Sequence, residues 1–308
     1  NGLFFEDLYI QEPYRYHYQR LTTIQLGRRQ ISSLSGRVLG GSSSINDCLM
    51  FKATPRFWDD LESRTGNTGR FASTAVYDIF KSIEWLNASD VYVPDATRHQ
   101  SENPWKLQVR PFALNASDDI NLIAQLFANA LGYPYPNLVG FNDPAATVGV
   151  FPHGDWLYDF NATADPIIRW SSQKAFLNAS VVDPVTLVGT GTRQLRVLVN
   201  SPVQRIIFHP NDATKAVGVE YLNEFGDKKR AYATSNVILS AFINTPMILQ
   251  RSGIGPTTVL QDAEIEPRVI NEHVGQHWRV HNYMPLVFLA PWLSGVASPV
   301  EGPLISGL

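Results

Sequence analysis

One stretch, Gly36-Arg37-Val38-Leu39-Gly40-Gly41-Ser42-Ser43-Ser44-Ile45-Asn46, limits what this chain can fold into more than any other. Two glycines meet three serines between an apolar run and a helix-compatible one. Glycine has no Cβ, so its backbone N–H can approach a ligand or another backbone closely. A helix beginning after Gly41 aims its unpaired N–H groups, and the positive end of its dipole, at an anion, typically a phosphate. Serine hydroxyls add donors and caps. Alone, a Gly-Gly-Ser turn is compatible with an ordinary connection as well as with ligand binding.

The flanking sequence supplies elements that could frame such a turn. Residues 74–86 place Val76, Ile79, Phe80, Ile83 and Leu86 on one helical face. Residues 117–132 read as a second helix. Asp118 and Asp119 suit its positive end, Ile120, Ile123, Phe127 and Leu131 form its stripe, and Gly132 and Pro134 stop it. Residues 195–234 turn to strand character. Leu195-Arg196-Val197-Leu198-Val199 and Val203-Gln204-Arg205-Ile206-Ile207-Phe208 are split by Asn200-Ser201-Pro202, and residues 217–221 and 229–233 flank a hairpin turn at Phe225-Gly226-Asp227. Val237-Ile238-Leu239-Ser240-Ala241 reads as a short buried strand leading into Thr245-Pro246, an N-cap followed by proline at the first helical position, with Gly253 as the stop. Strand, turn and helix in that order suit a parallel nucleotide-binding sheet. The proline-rich region 134–152 and the tail from Pro291 read as loops. The expected fold class is α/β (α+β).

Composition removes several functions. The 308 residues are 44% hydrophobic and 17% charged, enough for a sizeable core. Net charge is −3 with no basic block, which argues against a nucleic-acid partner. No apolar run approaches the roughly 20 residues that span a bilayer. Cys48 is the sole cysteine, so an internal disulfide and a cysteine metal cluster are excluded; it reads as a small buried apolar residue. Asn87, Asn115, Asn161 and Asn178 each stand in Asn-Ala-Ser/Thr, which points to a secreted glycoprotein. Asn1 is not a natural start, so a leader removed or left out is expected.

The segment 36–46 resembles the first signature of the glucose-methanol-choline (GMC) oxidoreductases, FAD-dependent alcohol and sugar oxidases and mandelonitrile lyases. Thr245-Pro246-Met247-Ile248-Leu249-Gln250-Arg251-Ser252-Gly253-Ile254-Gly255-Pro256 is similar to the second signature. Asn271-Glu272-His273-Val274-Gly275, running to His281, is similar to the family's Val-Gly-…-Asp-His segment. Arg169-Trp170-Ser171-Ser172-Gln173-Lys174-Ala175-Phe176-Leu177 is similar to a segment ahead of the central strands. The resemblance implies a Rossmann-type FAD domain with a β-meander, formed by residues 1–85 and 191–285. Residues 86–190 would be a substrate or cap region, and 286–308 the start of the substrate-type domain. It further implies that Gly40, Gly41, Ser42 and Asn46 line FAD, that the backbone of Val203 meets the adenine, and that Ala241 lies near the ADP portion. In the family, the Gly-x-Gly-x-x-Gly opening lies ahead of the region corresponding to Asn1, and the catalytic histidine segment beyond that of Leu308. The match is thus to the central portion, and no catalytic residue is assigned within it.

The chain departs from the family pattern at several positions. Ser240-Ala241-Phe242-Ile243-Asn244 stands, one residue shorter, where the family has Ser-Ala-Gly-Ala, and Phe242 is bulky where glycine lets a backbone approach. Asp47, Met50 and Lys52-Ala53 replace a glycine, an aromatic and Arg-Gly, and Val280 replaces the Asp before His281. Two readings follow. One is an FAD-dependent oxidoreductase that passes hydride from a small-molecule alcohol to flavin. The alternative is a non-catalytic, self-associating extracellular glycoprotein on a GMC-like scaffold, forming a homo-oligomer or larger assembly.

Other clusters carry less. His273, His277 and His281 have the spacing of one helical face, which could hold a metal, but Gly275 weakens a helix there, and ordinary hydrogen-bonded histidines are the default. No metal site is assigned. Asp59 and Asp60 read as a structural or solvated pair, because adjacent helical residues do not face each other. Ser171-Ser172 lacks a nucleophile elbow.

Overall fold

The computed structural model describes residues 15–19, 32–46, 48–86, 107–113, 119–133, 135, 153–157 and 169–276. These fall in two compact units, one reaching Arg193 and the other beginning at Gln194. Asn87, Asn115, Asn161, His277, Val280 and His281 lie outside the described residues, as do Asp47 and the tail from Pro291.

In the first unit, β1 (Arg15–Gln19) pairs antiparallel with β2 (Ser32–Gly36), and β2 runs into the serine turn. Helix α1 (Pro55–Thr65) starts as its sequence dictates. Thr54 is extended, its hydroxyl accepts from the N–H of Phe57 at 3.4 Å, Pro55 takes the first position, and Gly66 at φ 65 closes the helix. Asp59 serves the next helix, accepting from the Ser73 N–H at 2.9 Å, while exposed Asp60 lies 3.9 Å from Arg56. Trp58 meets Phe80 edge to face at 6.1 Å and so ties α1 to α2 (Ser73–Ile83).

The helix expected over 74–86 stops at Ile83. Residues Glu84–Leu86 form β3, parallel to β4 (Leu107–Ala113), which pairs antiparallel with β5 (His153–Leu157). Leu86 is therefore a strand residue. It and Val109, each 1% exposed, form the centre of a cluster with Met50 and Leu157. Full burial of such side chains stabilises by roughly 1.5–3 kcal/mol each, more than the small helix preference forgone. Of the predicted helical stripe, Val76 is buried and Ile79 is exposed.

Helix α3 (Asp119–Leu131) ends at Gly132, φ 73, with the Tyr133 N–H bonded to the Ala128 carbonyl. Its buried side chains are Ala124 and Ala128, whereas Phe127 and Leu131 of the predicted stripe are exposed. The smaller residues face inward. Helix α4 (Ser172–Phe176) is capped by Ser171, whose hydroxyl accepts from the Lys174 N–H.

In the second unit, β6 (Val203–His209), β7 (Asp212–Leu222) and β8 (Lys228–Tyr232) form the expected antiparallel meander. Its hairpin turn is organised by Asn223 Oδ1, which accepts from the N–H groups of Phe225 and Asp227. The pairing register puts Arg205, Glu220 and Arg230 in one row across the three strands. The run 195–199 is not a strand, and neither is 237–241. No strand pairs with 237–241 among the described residues, and Ile238 is 85% exposed, so the expected buried strand is absent there. Helix α5 (Asn244–Arg251) follows, then β9 (Ile254–Gly255), α6 (Thr257–Asp262) and β10 (Val269–Ile270), with β9 and β10 parallel. Ser252 joins α5 to the meander: its hydroxyl accepts from the Ile206 N–H at 2.8 Å and donates to the Ile248 carbonyl at 2.6 Å.

Candidate functional site

The glycine-serine segment folds as a tight turn leading into a short 3-10 helix, Gly41–Ser44. Gly40 and Gly41 both hold positive φ, 87 and 56. Their surroundings differ. A Cβ on Gly40 would lie 2.5 Å from the Ser44 hydroxyl and 3.1 Å from Gln173, so its smallness serves internal packing. A Cβ on Gly41 would meet nothing within 4 Å. The open side of the turn is therefore at Gly41.

All three serine hydroxyls are engaged within the protein. Ser42 Oγ accepts from the Gly36 N–H at 3.2 Å and lies 3.3 Å from the Ser35 hydroxyl. Ser43 Oγ donates to the Gly40 carbonyl at 2.6 Å and accepts from the Ser172 N–H at 3.0 Å. Ser44 Oγ donates to the Leu39 carbonyl at 2.8 Å. The donors expected from the sequence thus organise the turn. What remains for a ligand is backbone: the Gly41 N–H is taken by the Val38 carbonyl, whereas the Ser42 N–H makes no hydrogen bond among the described residues.

Asn46 completes the turn. Its Oδ1 accepts from Arg169 Nη1 at 2.7 Å and from the Cys48 N–H at 3.2 Å. Arg169 also reaches the Ser43 carbonyl at 3.4 Å. Ser172 Oγ donates to the Gly40 carbonyl at 3.1 Å. Arg169, Ser172 and Gln173 thus brace the turn. Sequence reasoning gave them no role; the only signal was that their segment is similar to a family segment.

Behind the turn, the Cys48 carbonyl accepts from the Leu157 N–H, and Lys52 Nζ lies 2.6 Å from Glu84 Oε2 with both side chains almost wholly buried. The lysine standing where the family has arginine is thus an internal ion-pair partner. It also sits 5.9 Å from the Phe80 ring centre.

Val203 and Ala241 belong to the second unit. Val203 opens β6, an outer strand of the meander. The Ala241 N–H donates to Thr245 Oγ1 at 2.8 Å, so Thr245 secures the preceding turn, and the Ala241 carbonyl accepts from the Asn244 N–H. Phe242 adopts φ 50, the left-handed backbone that glycine takes freely, and its side chain is 61% exposed. The backbone path is thus a glycine-type one without the glycine. Residues 271–276 form turns, with Gly275 at φ 81, and the His273 N–H donates to Asn271 Oδ1. Among the described residues no group of three or more metal-ligating side chains occurs, and no helix is long and apolar enough to cross a membrane.

A braced glycine-serine turn in one unit, and a meander followed by a strand–helix–strand crossover in the other, place the protein in the mixed α/β class. The chain belongs to the GMC oxidoreductase family, whose model matches residues 18–283. It is 28% identical over 290 residues to an oxygen-dependent choline dehydrogenase of Staphylococcus epidermidis, covering 90% of this chain and 46% of that protein. Identity to choline oxidase of Arthrobacter globiformis is 28% over 281 residues, 87% of this chain and 46% of the relative. Among solved structures, formate oxidase superposes with a TM-score of 0.68 at 19% identity, covering 88% of this chain and 43% of that one. Pyridoxine 4-oxidase from Mesorbium loti gives 0.65 at 22%, covering 83% and 44%. These structures share the fold. The chain spans about half the length of the curated relatives it matches.

Proposed function

We propose that this chain is the FAD-binding portion of a flavin-dependent oxidoreductase acting on a small-molecule alcohol. The observation that carries the reading is the serine turn. Its hydroxyls are tied inward, while the Cβ side of Gly41 is open and the Ser42 N–H makes no hydrogen bond among the described residues. A backbone edge of that kind suits a dinucleotide, since backbone donors approach a ligand most closely where no side chain intervenes.

FAD, when bound, supplies the hydride acceptor for oxidation of the alcohol carbon. The chain's own residues do the holding. Gly41 and Ser42 offer surface and N–H, and Asn46 offers its amide. At Phe242 the backbone keeps the left-handed conformation that glycine takes freely.

A second reading is favoured by Phe242, a bulky residue where the family pattern has glycine. It is a self-associating, secreted glycoprotein scaffold without flavin. A visible absorption spectrum of the full-length protein separates the two. Flavin bands, with FAD released on heating, are expected. A flat spectrum from folded protein that also takes up no added FAD overturns the oxidoreductase reading.

A further inference from the structure

We propose that Arg169 is a positioning residue of the dinucleotide-binding turn, holding Asn46 so that it presents its amide NH2, and not its oxygen, to the ligand, while Ser172 braces the same turn through Ser43 and the Gly40 carbonyl. The inference rests on the reading that this turn takes FAD.

Two donors converge on Asn46 Oδ1, Arg169 Nη1 at 2.7 Å and the Cys48 N–H at 3.2 Å. A guanidinium and a backbone N–H can only donate. The flipped amide would set an NH2 against both, so the orientation is dictated by the partners. Asn46 is half-buried, and its NH2 makes no hydrogen bond among the described residues. It calls for an acceptor on the ligand: a carbonyl oxygen, a ring nitrogen or a phosphate oxygen.

Ser172 fixes the same turn one residue group earlier. Its N–H donates to Ser43 Oγ at 3.0 Å, its hydroxyl lies 2.8 Å from Ser43 Oγ, and it also donates to the Gly40 carbonyl at 3.1 Å. Gln173 fills the space beside Gly40 where a Cβ would stand. These contacts link positions 123 to 132 residues apart in sequence. The first turn of α4 and the arginine before it therefore hold the site from outside its own segment.

The test uses the full-length protein, with FAD titrated into the apo form and followed by flavin fluorescence and visible spectrum, alongside the apo melting temperature. Arg169→Met is expected to weaken FAD binding about ten- to a hundredfold, the range for loss of a hydrogen bond to a charged group. Its effect should vanish in an Asn46→Ala background, because Arg169 acts through Asn46. Asn46→Asp keeps a partner for Arg169, so the apo melting temperature should hold while FAD binding weakens comparably. Ser172→Ala should weaken binding by a smaller factor. If Arg169→Met does not fold, Arg169→Lys retains a donor and Asn46→Asp carries the test alone. Wild-type affinity in Asn46→Asp, or additive losses in the double variant, overturns this inference while leaving FAD binding intact. A wild-type protein that takes up no FAD overturns the functional reading and this inference with it.

Discussion

Gly36 and Gly41 meet backbone to backbone: a Cβ on Gly36 would stand 2.3 Å from the Gly41 carbonyl oxygen. The end of β2 and the start of the 3-10 helix thus touch where a side chain has no room. Gly36→Ala is expected to cost about 3 kcal/mol, the upper end of overpacking costs. Gly41→Ala faces open space at φ 56 and should cost only about 1–2 kcal/mol, the ordinary left-handed strain. Urea denaturation of both variants checks the order; equal losses would contradict the packing difference.

Lys52 and Glu84 form an ion pair that water scarcely reaches. Replacing either alone leaves the other charge buried, which typically costs about 3–5 kcal/mol. Lys52→Met should therefore lower the melting temperature strongly. Replacing both by methionine should recover most of the loss. Thermal melts of the two singles and the double give the coupling directly, and a double as unstable as the sum of the singles refutes it.

The left-handed backbone at Phe242 costs about 1–2 kcal/mol for a residue with a Cβ, and glycine gives back about 0.5–1 kcal/mol through unfolded-chain entropy. The ring is mostly exposed, so little burial is forfeited. Phe242→Gly is expected to stabilise the second unit by about 0.5–1 kcal/mol. A denaturant midpoint that falls instead would show that the ring makes contacts worth more than the strain.

Local chemistry made much of this legible from the sequence. The N-cap at Thr54 was not called from sequence, yet it obeys the same rule that placed Gly132 and the Phe225-Gly226-Asp227 turn: one residue's side chain or φ settles the matter. The meander was legible because adjacent strands pair with each other. Leu86 was misread because its strand partner, Leu107–Ala113, is distant in sequence, and helical periodicity cannot register a remote ladder. Residues 237–241 show the converse, since an apolar run becomes a strand only with a neighbour to pair with. In the serine turn, the glycines and serines are legible in the sequence, but their division of labour is not. The bond from Arg169 to Asn46 spans 123 positions and exists only in three dimensions.

Glu220 lies beneath two guanidiniums, and the hydrogen bond from Arg205 is the main cause that holds its carboxyl below the usual glutamate value, with Arg230 adding to it. A depressed folded value means the contribution is present above the ordinary glutamate range and is lost as pH falls through the folded value. Unfolding followed from neutral pH down into that acid range should show stability declining, and Glu220→Gln should flatten the slope. An unchanged slope in the variant assigns the acid sensitivity elsewhere.

Asn178 is half-buried in a turn where Ser180 donates both N–H and hydroxyl to its Oδ1, at 3.0 and 2.6 Å, and its Nδ2 donates to the Ala175 carbonyl at 3.5 Å. If the protein is secreted, as proposed, this sequon should carry a glycan. Intact-mass measurement before and after deglycosylation is expected to show the difference, and Asn178→Gln should remove one glycan's mass. Masses of wild type and variant that differ only by the methylene of the substitution would count against modification here.

The serine turn is held together by its own hydrogen bonds. The Ser43 and Ser44 hydroxyls close upon its own carbonyls, Ser42 accepts from the Gly36 N–H, and Ser172 donates to the Gly40 carbonyl, so the edge proposed to take a dinucleotide is braced from within. Loading at this edge should then resemble a key entering a lock already cut. Association would be quick, and the heat-capacity change would reflect only the surface covered, because no chain has to fold around the arriving molecule.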